Sequence, residues 1–409
     1  MTADSIAAPL PFSTERRCPV VTWDVSEPRP VLTSVEELGR LREQAPIVWN
    51  DYANGFWMLL SQQTVREAFQ TPEVFCSDAT IFTVPEPNWH WIPTMENPPR
   101  HTLYRHVLNP PFSPRAIKAL EPEVRRAAVE TITAFRDRGG CDFVPEFATR
   151  FTTRVFLAML GLPEDHTDRF VDWVEAIFAG FGGGEEAVAD MVRAQDESHQ
   201  YFVDLLTSRK REPLGGDDFF TALLNSRVGD TPITDEEFVN IADVLLLAGL
   251  DTVKSQLGYM FFHLSGHPGY RRRVIEDPAC IPRAVEEYLR AFSIVMDGRK
   301  LAQDVEFHGC PMKKGDMVML SVPSASRDPR EFTDPDVLDF DRKVNRHVAF
   351  AAGPHRCLGA HLARTELAVA LQEWHRLIPD YVAVDTDALR ETGPQLGLDS
   401  LQLRWEVTQ

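Results

Sequence analysis

Residues 235–264 carry one long helical pattern whose middle, 244–250, is too apolar to face water. Thr234 precedes it as a cap, and Glu237 follows three residues later in the spacing of a capping box. Other elements must wrap such a helix, so this segment predicts a fold assembled around a central helix. It is no bilayer span, because Asp243 and Asp251 close the apolar stretch far short of the roughly 20 residues needed.

The surrounding chain reads as mainly α with minor β. Apolar faces recur at helical spacing through residues 121–136, 150–160, 165–178, 185–208 and 358–377, whereas 34–44 is a shorter helix. Residues 56–60 and 305–322 read as strand and turn, and 323–347 as a meander rich in proline and aspartate. A length of 409 residues would ordinarily suggest two or three domains. With no dividing linker, no internal repeat, and 30 prolines scattered through loops, one domain over 1–409 is expected. The run from Gly180 to Gly184 lacks the ending of a phosphate loop and follows a helix. It reads either as a hinge for a lid or as a tolerant surface loop.

Composition excludes some functions. A net charge of -19 opposes nucleic-acid binding. The six cysteines are far apart with no C-x-x-C pair, which argues against zinc, iron–sulfur and redox chemistry and fits a reduced compartment. Residues 1–17 lack the basic and apolar regions of a secretory signal, so a cytoplasmic protein without a membrane anchor is expected.

Cys357 stands apart. It lies in Phe350-Ala351-Ala352-Gly353-Pro354-His355-Arg356-Cys357-Leu358-Gly359, directly before a helical segment. Glycines at 353 and 359 allow a tight turn beside a flat macrocycle, and the helix start directs its dipole at the sulfur, favouring thiolate. The setting suits a thiolate on haem iron, whereas an arbitrary cysteine is usually a buried structural one. On the central helix, Val244, Leu247, Ala248, Asp251 and Thr252 follow helical spacing and are expected on one face. An acid and an alcohol would then project from an apolar wall, and the small pair at 248 and 249 would admit a close approach. An isolated Asp-Thr pair ordinarily does less: the hydroxyl bonds the carbonyl four residues back and the acid is solvated or paired.

Together these motifs resemble the cytochromes P-450, and within that family the soluble bacterial camphor-hydroxylase type. The cysteine loop has the family's fixed Phe350, Gly353, Cys357 and Gly359, with Ala351 where many members carry glycine. The likeness extends through Ile92-Pro93-Thr94-Met95, residues 246–253, 292–299 and 306–309. It implies the family's fold, a helix-rich triangular prism with a small β-rich N-terminal region and haem b between the central helix and the cysteine loop. Cys357 is then the axial ligand to iron, with Phe350, Gly359 and Ala248 beside the macrocycle. Asp251 relays protons and Thr252 hydrogen-bonds dioxygen. His101, Arg105, Arg299 and His355 are candidates for the haem propionates, which need cations or strong donors when buried. Glu287 and Arg290 supply the family's E-x-x-R, and Arg342 the arginine of its meander; their role is structural.

The camphor type holds its ketone with a tyrosine, but residues 79–103 contain none. Phe82, Trp89 and Trp91, with Val244, Leu247, Val295 and Leu396, are read as an apolar pocket for a small terpenoid or aromatic molecule, with His90 or Thr94 as a polar handle; plain core packing is the competing reading. Electrons would come from a ferredoxin and its NAD(P)H-dependent reductase, docking through Arg115, Lys118, Lys343, Arg346, His347, Arg356 and Arg364. The expected activity is insertion of one oxygen atom of O2 into a C–H bond. Rival readings are a peroxide-driven or specialised coupling enzyme on the same haem, and a noncatalytic haem sensor.

Overall fold

A computed structural model describes residues 9–180, 184–211, 218–391, 393 and 395–407. Among these, the helices are α1 (Thr33–Gln44), α2 (Gln62–Gln70), α3 (Arg100–Leu108), α4 (Pro114–Thr133), α5 (Arg150–Leu160), α6 (Thr167–Gly180), α7 (Glu185–Arg211), α8 (Phe219–Leu224), α9 (Asp235–Gly266), α10 (Pro268–Glu276), α11 (Ile281–Ala291), α12 (Val322–Ala325) and α13 (Ala360–Leu377). Helix α4 begins seven residues before the sequence pattern suggested. Ser113 caps it, and Pro122, which resembles a helix breaker, is carried inside it. Of the glycine run, residues 181–183 lie outside the described residues.

Helix α9 is the axis. Its capping box forms as predicted, with the Thr234 hydroxyl accepting from the Glu237 amide and the Glu237 side chain accepting from the Thr234 amide. Two apolar clusters share its length. Phe238, Ile241, Leu246 and Leu250 pack with α5 to α8, whereas Val253, Leu257, Met260, Phe261 and Leu264 join a core with α4, α11 and α13. Trp374 of α13 is completely buried in the latter core, edge-on to Phe143, Phe147 and Phe261.

The main sheet has seven strands in the order Phe12–Ser13, Cys18–Val21, Ile47–Asn50, Phe56–Leu59, Met317–Ser321, Met296–Leu301 and Phe75–Cys76. It is mixed, since Phe56–Leu59 runs parallel to Met317–Ser321 but antiparallel to Ile47–Asn50. The β-rich region is therefore completed by two strands from the second half of the chain, which return residues 296–301 to the loop after Phe75–Cys76. Among the described residues, no helix is long and apolar enough to cross a membrane.

Candidate active site

The cysteine loop folds on itself. The Cys357 amide donates to the Phe350 carbonyl at 2.9 Å and the Ala351 amide to Val348 at 2.8 Å. Gly353 has a φ of +71°, and a Cβ there would lie 2.3 Å from the Phe69 carbonyl oxygen, so the loop sits directly on the end of α2. Ala351 adopts φ +57° without being glycine. The other five cysteines are buried, whereas Cys357 is exposed. Desolvation by the surrounding protein pushes the Cys357 thiol pKa up, opposed by the Gly359 amide and by Arg105, Arg364 and Arg356. The helix start alone does not yield a thiolate; metal coordination, which deprotonates a bound thiol outright, would have to do so.

Beside the loop, α3 and the strand Met296–Leu301 bring four basic side chains together. The rings of His101 and His355 lie with centroids 4.0 Å apart, tilted by 35°, and His355 also meets the Ser77 hydroxyl at 3.2 Å. Arg105 donates to the Arg356 carbonyl at 2.8 Å. Arg299, buried over the Phe69 ring, pairs with Asp297 at 2.9 Å. Burial and the charges of Arg105 and Arg299 depress His101 to about 4; burial, Arg299, His101 and Arg105 depress His355 to about 2. Two arginines and two imidazoles converging in one place supply the donors that suit an anion.

Helix α9 is open at one place. Ala248 is exposed although it lies in the middle of a buried helix, and Leu247 and Thr252 are half-buried beside it. Leu358, adjacent to Cys357, packs against the apolar cluster on this half of α9, which brings the cysteine loop and the helix together. The Thr252 hydroxyl donates to the Ala248 carbonyl at 3.1 Å. Asp251 does not share this opening. It is 5 % exposed, accepts from Gln395 and pairs with Lys254 one turn along. Successive helix residues diverge by about 100°, so the Asp and Thr point apart. Gly249 is small for another reason than the one expected: a Cβ there would lie 3.1 Å from the Phe156 ring of α5.

A family model described as Cytochrome P450 matches residues 49–374. The chain belongs to the cytochrome P450 family. It is 34% identical over 354 residues, 86% of this chain and 84% of the relative, to a protein named probable cytochrome P450 127A1 from Sinorhizobium fredii. It is 30% identical to the mycinamicin IV hydroxylase/epoxidase of Micromonospora griseorubida, over 91% of this chain and 92% of that one. Among solved structures it resembles CYP101J2, with a TM-score of 0.87, 29% identity, and coverage of 97% and 98%. As a cytochrome P450 it is a haem-thiolate monooxygenase, with haem b held through a cysteine thiolate. The residues present fit that group: Cys357 is an exposed thiol, and a cluster of basic side chains beside it suits the two propionates.

The motif of Glu287 and Arg290 forms a closed clamp. Arg290 grips Glu287 through Nε at 2.9 Å and Nη2 at 2.7 Å, both residues being essentially inaccessible. Arg342 adds Nε bonds at 3.1 and 3.0 Å, and the Asp339 amide and Asn345 complete the set. Adjacent Glu286 was not anticipated. It takes Arg364 at 2.5 and 3.0 Å and His347 at 3.2 Å. Burial works to raise its pKa, but these partners hold it down at about 2. Two members of the expected docking patch, His347 and Arg364, are therefore engaged internally. Arg115, Lys118, Lys343, Arg346 and Arg356 remain exposed.

The expected apolar pocket divides. Phe82 is 1 % exposed and packs against Phe56 at 4.8 Å, and Leu396 is 2 % exposed with its amide on the Ile294 carbonyl, so both are core residues. Trp89 and Trp91 are half-buried and pair at 5.6 Å; Val295 is also half-buried, and Val244 is buried. His90 is tied to Glu96 at 2.9 Å, whereas Thr94 is exposed. The partners Lys254 and Gln395 were missed. Lys254 is legible as a charge three residues after Asp251, but nothing local announces Gln395, 144 residues away.

Proposed function

We propose that the chain is a single-domain cytoplasmic enzyme that hydroxylates a small hydrophobic terpenoid or aromatic substrate with O2, taking electrons from a ferredoxin and its NAD(P)H-dependent reductase. Cys357 is assigned as the axial ligand, with Phe350, Gly359 and Ala248 against the macrocycle and His101, Arg105, Arg299 and His355 at the propionates. The observation that carries this assignment is the convergence of these four basic groups beside Cys357, the one exposed thiol among the described cysteines.

Haem supplies the dioxygen chemistry, and a thiolate ligand pushes electron density that favours O–O cleavage. The chain supplies position and protons. Thr252 offers its hydroxyl at the α9 opening, where turning from the Ala248 carbonyl frees it to donate to oxygen. Asp251 stands one residue away, held by Lys254 and Gln395 and turned from the opening; as the assigned relay it would first accept a proton from solvent and, on swinging from these partners, hand it on toward Thr252. Trp89, Trp91, Val244, Leu247 and Val295 form the apolar wall. Thr94 is the remaining polar handle, since His90 is bound to Glu96. The mycinamicin hydroxylase/epoxidase is named for its own substrate, and here the smaller substrate class rests on the two tryptophans. The exposed Arg115, Lys118, Lys343, Arg346 and Arg356 are assigned to an acidic ferredoxin, because a local basic patch is what a chain of charge -19 needs for such docking.

The test is turnover of the purified haem-loaded protein with ferredoxin, reductase and NADH, after terpenoids and small aromatics have been screened for the low-to-high-spin shift. Hydroxylated product that depends on all three components supports the reading. Product with hydrogen peroxide alone, and none with the electron chain, overturns it.

A further inference from the structure

The segment Trp89 to Glu96 contains the two tryptophans assigned to the substrate wall but no regular helix or strand, so its backbone groups need partners elsewhere. Two of those partners are the two ends of one side chain. Asn240 of α9 accepts the Ile92 amide on Oδ1 at 2.7 Å and donates through Nδ2 to the His90 carbonyl. Reversing the amide would set donor against donor and acceptor against acceptor, so the pair of contacts fixes its orientation. Trp91 sits between the two fastened residues.

A second fastening lies on the same face of α9, three residues earlier. Glu237 receives the Tyr104 hydroxyl and, at 3.4 Å, the Arg100 guanidinium. Arg100 also reaches Glu96 at 3.6 Å, and Glu96 pairs with His90. Within the loop itself, the Trp91 amide has only the Met95 sulfur, a weak acceptor, at 3.3 Å. Asn240 is thus the side chain that grips the loop backbone on both sides of Trp91. Only an amide of this length both donates and accepts there; a carboxylate cannot donate, and an alkyl group does neither.

We propose that Asn240 is a specificity-determining positioning residue: by latching His90 and Ile92 to α9 it fixes the Trp89–Trp91 pair in the substrate wall and controls how long a hydrophobic ligand stays. This rests on the assignment of those tryptophans to the wall. Without the latch, the tryptophan pair can swing away from α9 while the cysteine loop and the basic cluster keep their own contacts.

The experiment uses the full-length haem-loaded protein as wild type, Asn240→Ala, Asn240→Asp and Trp91→Ala. Hydrogen exchange over residues 90–96 and stopped-flow release of ligands that give a spin shift are measured for a small terpenoid and for a bulkier steroid. In Asn240→Ala, Ile92 exchange should quicken about tenfold, whereas Asn240→Asp keeps an acceptor for the Ile92 amide and loses only the His90 contact; small-ligand release should quicken at least fivefold in both, with discrimination against the bulky ligand reduced. The ferrous carbonyl spectrum should stay as in wild type, showing that haem binding is intact. Unchanged exchange at Ile92 in Asn240→Ala overturns the latch. Faster exchange with unchanged ligand release overturns its role in specificity. Ligand release unaltered in Trp91→Ala as well would trace that failure to the wall assignment, and the proposal would fall with it.

Discussion

Glu287 and Arg342 meet across 55 residues of chain, with Nε of the arginine 3.1 and 3.0 Å from the two carboxylate oxygens that the Arg290 fork already holds. Arg290 continues to the carbonyls of Ser326, Pro335 and Val337, and Arg342 to those of Thr333, Asp334 and Val337. One carboxylate therefore bridges two guanidiniums that organise a segment with little regular structure of its own. Glu287→Ala leaves the buried Arg290 uncompensated and should cost about 3–5 kcal/mol. Urea unfolding of the variant is the check; a loss below about 1 kcal/mol would show that the carbonyl contacts hold the meander unaided.

The cysteine loop contains a correctable strain. Ala351 sits at φ +57°, where an L-residue pays roughly 1–2 kcal/mol and glycine pays no steric penalty. Ala351→Gly should therefore stabilise by up to about 1 kcal/mol once the added freedom of the unfolded chain is subtracted. Gly353→Ala should do the reverse, because its Cβ has no room against Phe69. Thermal unfolding of both variants decides this, and a destabilised Ala351→Gly would count against strain at that position.

Cys357→Ser should abolish the red-shifted ferrous carbonyl band that a thiolate ligand gives. Haem retention is measured separately, by pigment per protein after gel filtration. Some haem should remain, because the basic cluster of His101, Arg105, Arg299 and His355 does not depend on the sulfur. A retained red-shifted band would refute the ligand assignment.

The parts legible in sequence are those written in local spacing. The capping box, the helix Arg150–Leu160, and the pairing of Glu287 with Arg290 all depend on residues a turn or less apart. The face of α9 was misjudged at Asp251, because helical spacing gives a direction but not which neighbour competes for the side chain. Lys254 and Gln395 win it. Gly249 shows the same limit, as its missing side chain accommodates Phe156 rather than a ligand. The latch by Asn240 and the return of Met317–Ser321 to the N-terminal strands join residues 148 or more positions apart, and no periodicity encodes those contacts.

Asp243 should make stability depend on pH in an unusual direction. It lies on α9 with Oδ2 2.8 Å from His199 Nδ1 of α7, while Oδ1 is buried with no hydrogen-bond partner. Burial raises its pKa to about 6, and the His199 contact offsets this only in part. Below the unfolded value near 3.8 the carboxyl is protonated in both states and contributes nothing. As pH rises from there, the unfolded chain releases its proton first, so a penalty on the folded state grows until about pH 6 and is constant above it. A gap of about two pKa units corresponds to at most about 3 kcal/mol. Asp243→Asn removes the titration and keeps an oxygen for His199, so it should stabilise by about 1–3 kcal/mol at pH 7.5 and by almost nothing at pH 4. Urea midpoints at pH 4, 5, 6 and 7.5 would trace the gap opening. A variant less stable than wild type at pH 7.5 would mean that the ionised Asp243–His199 contact between α7 and α9 outweighs the burial.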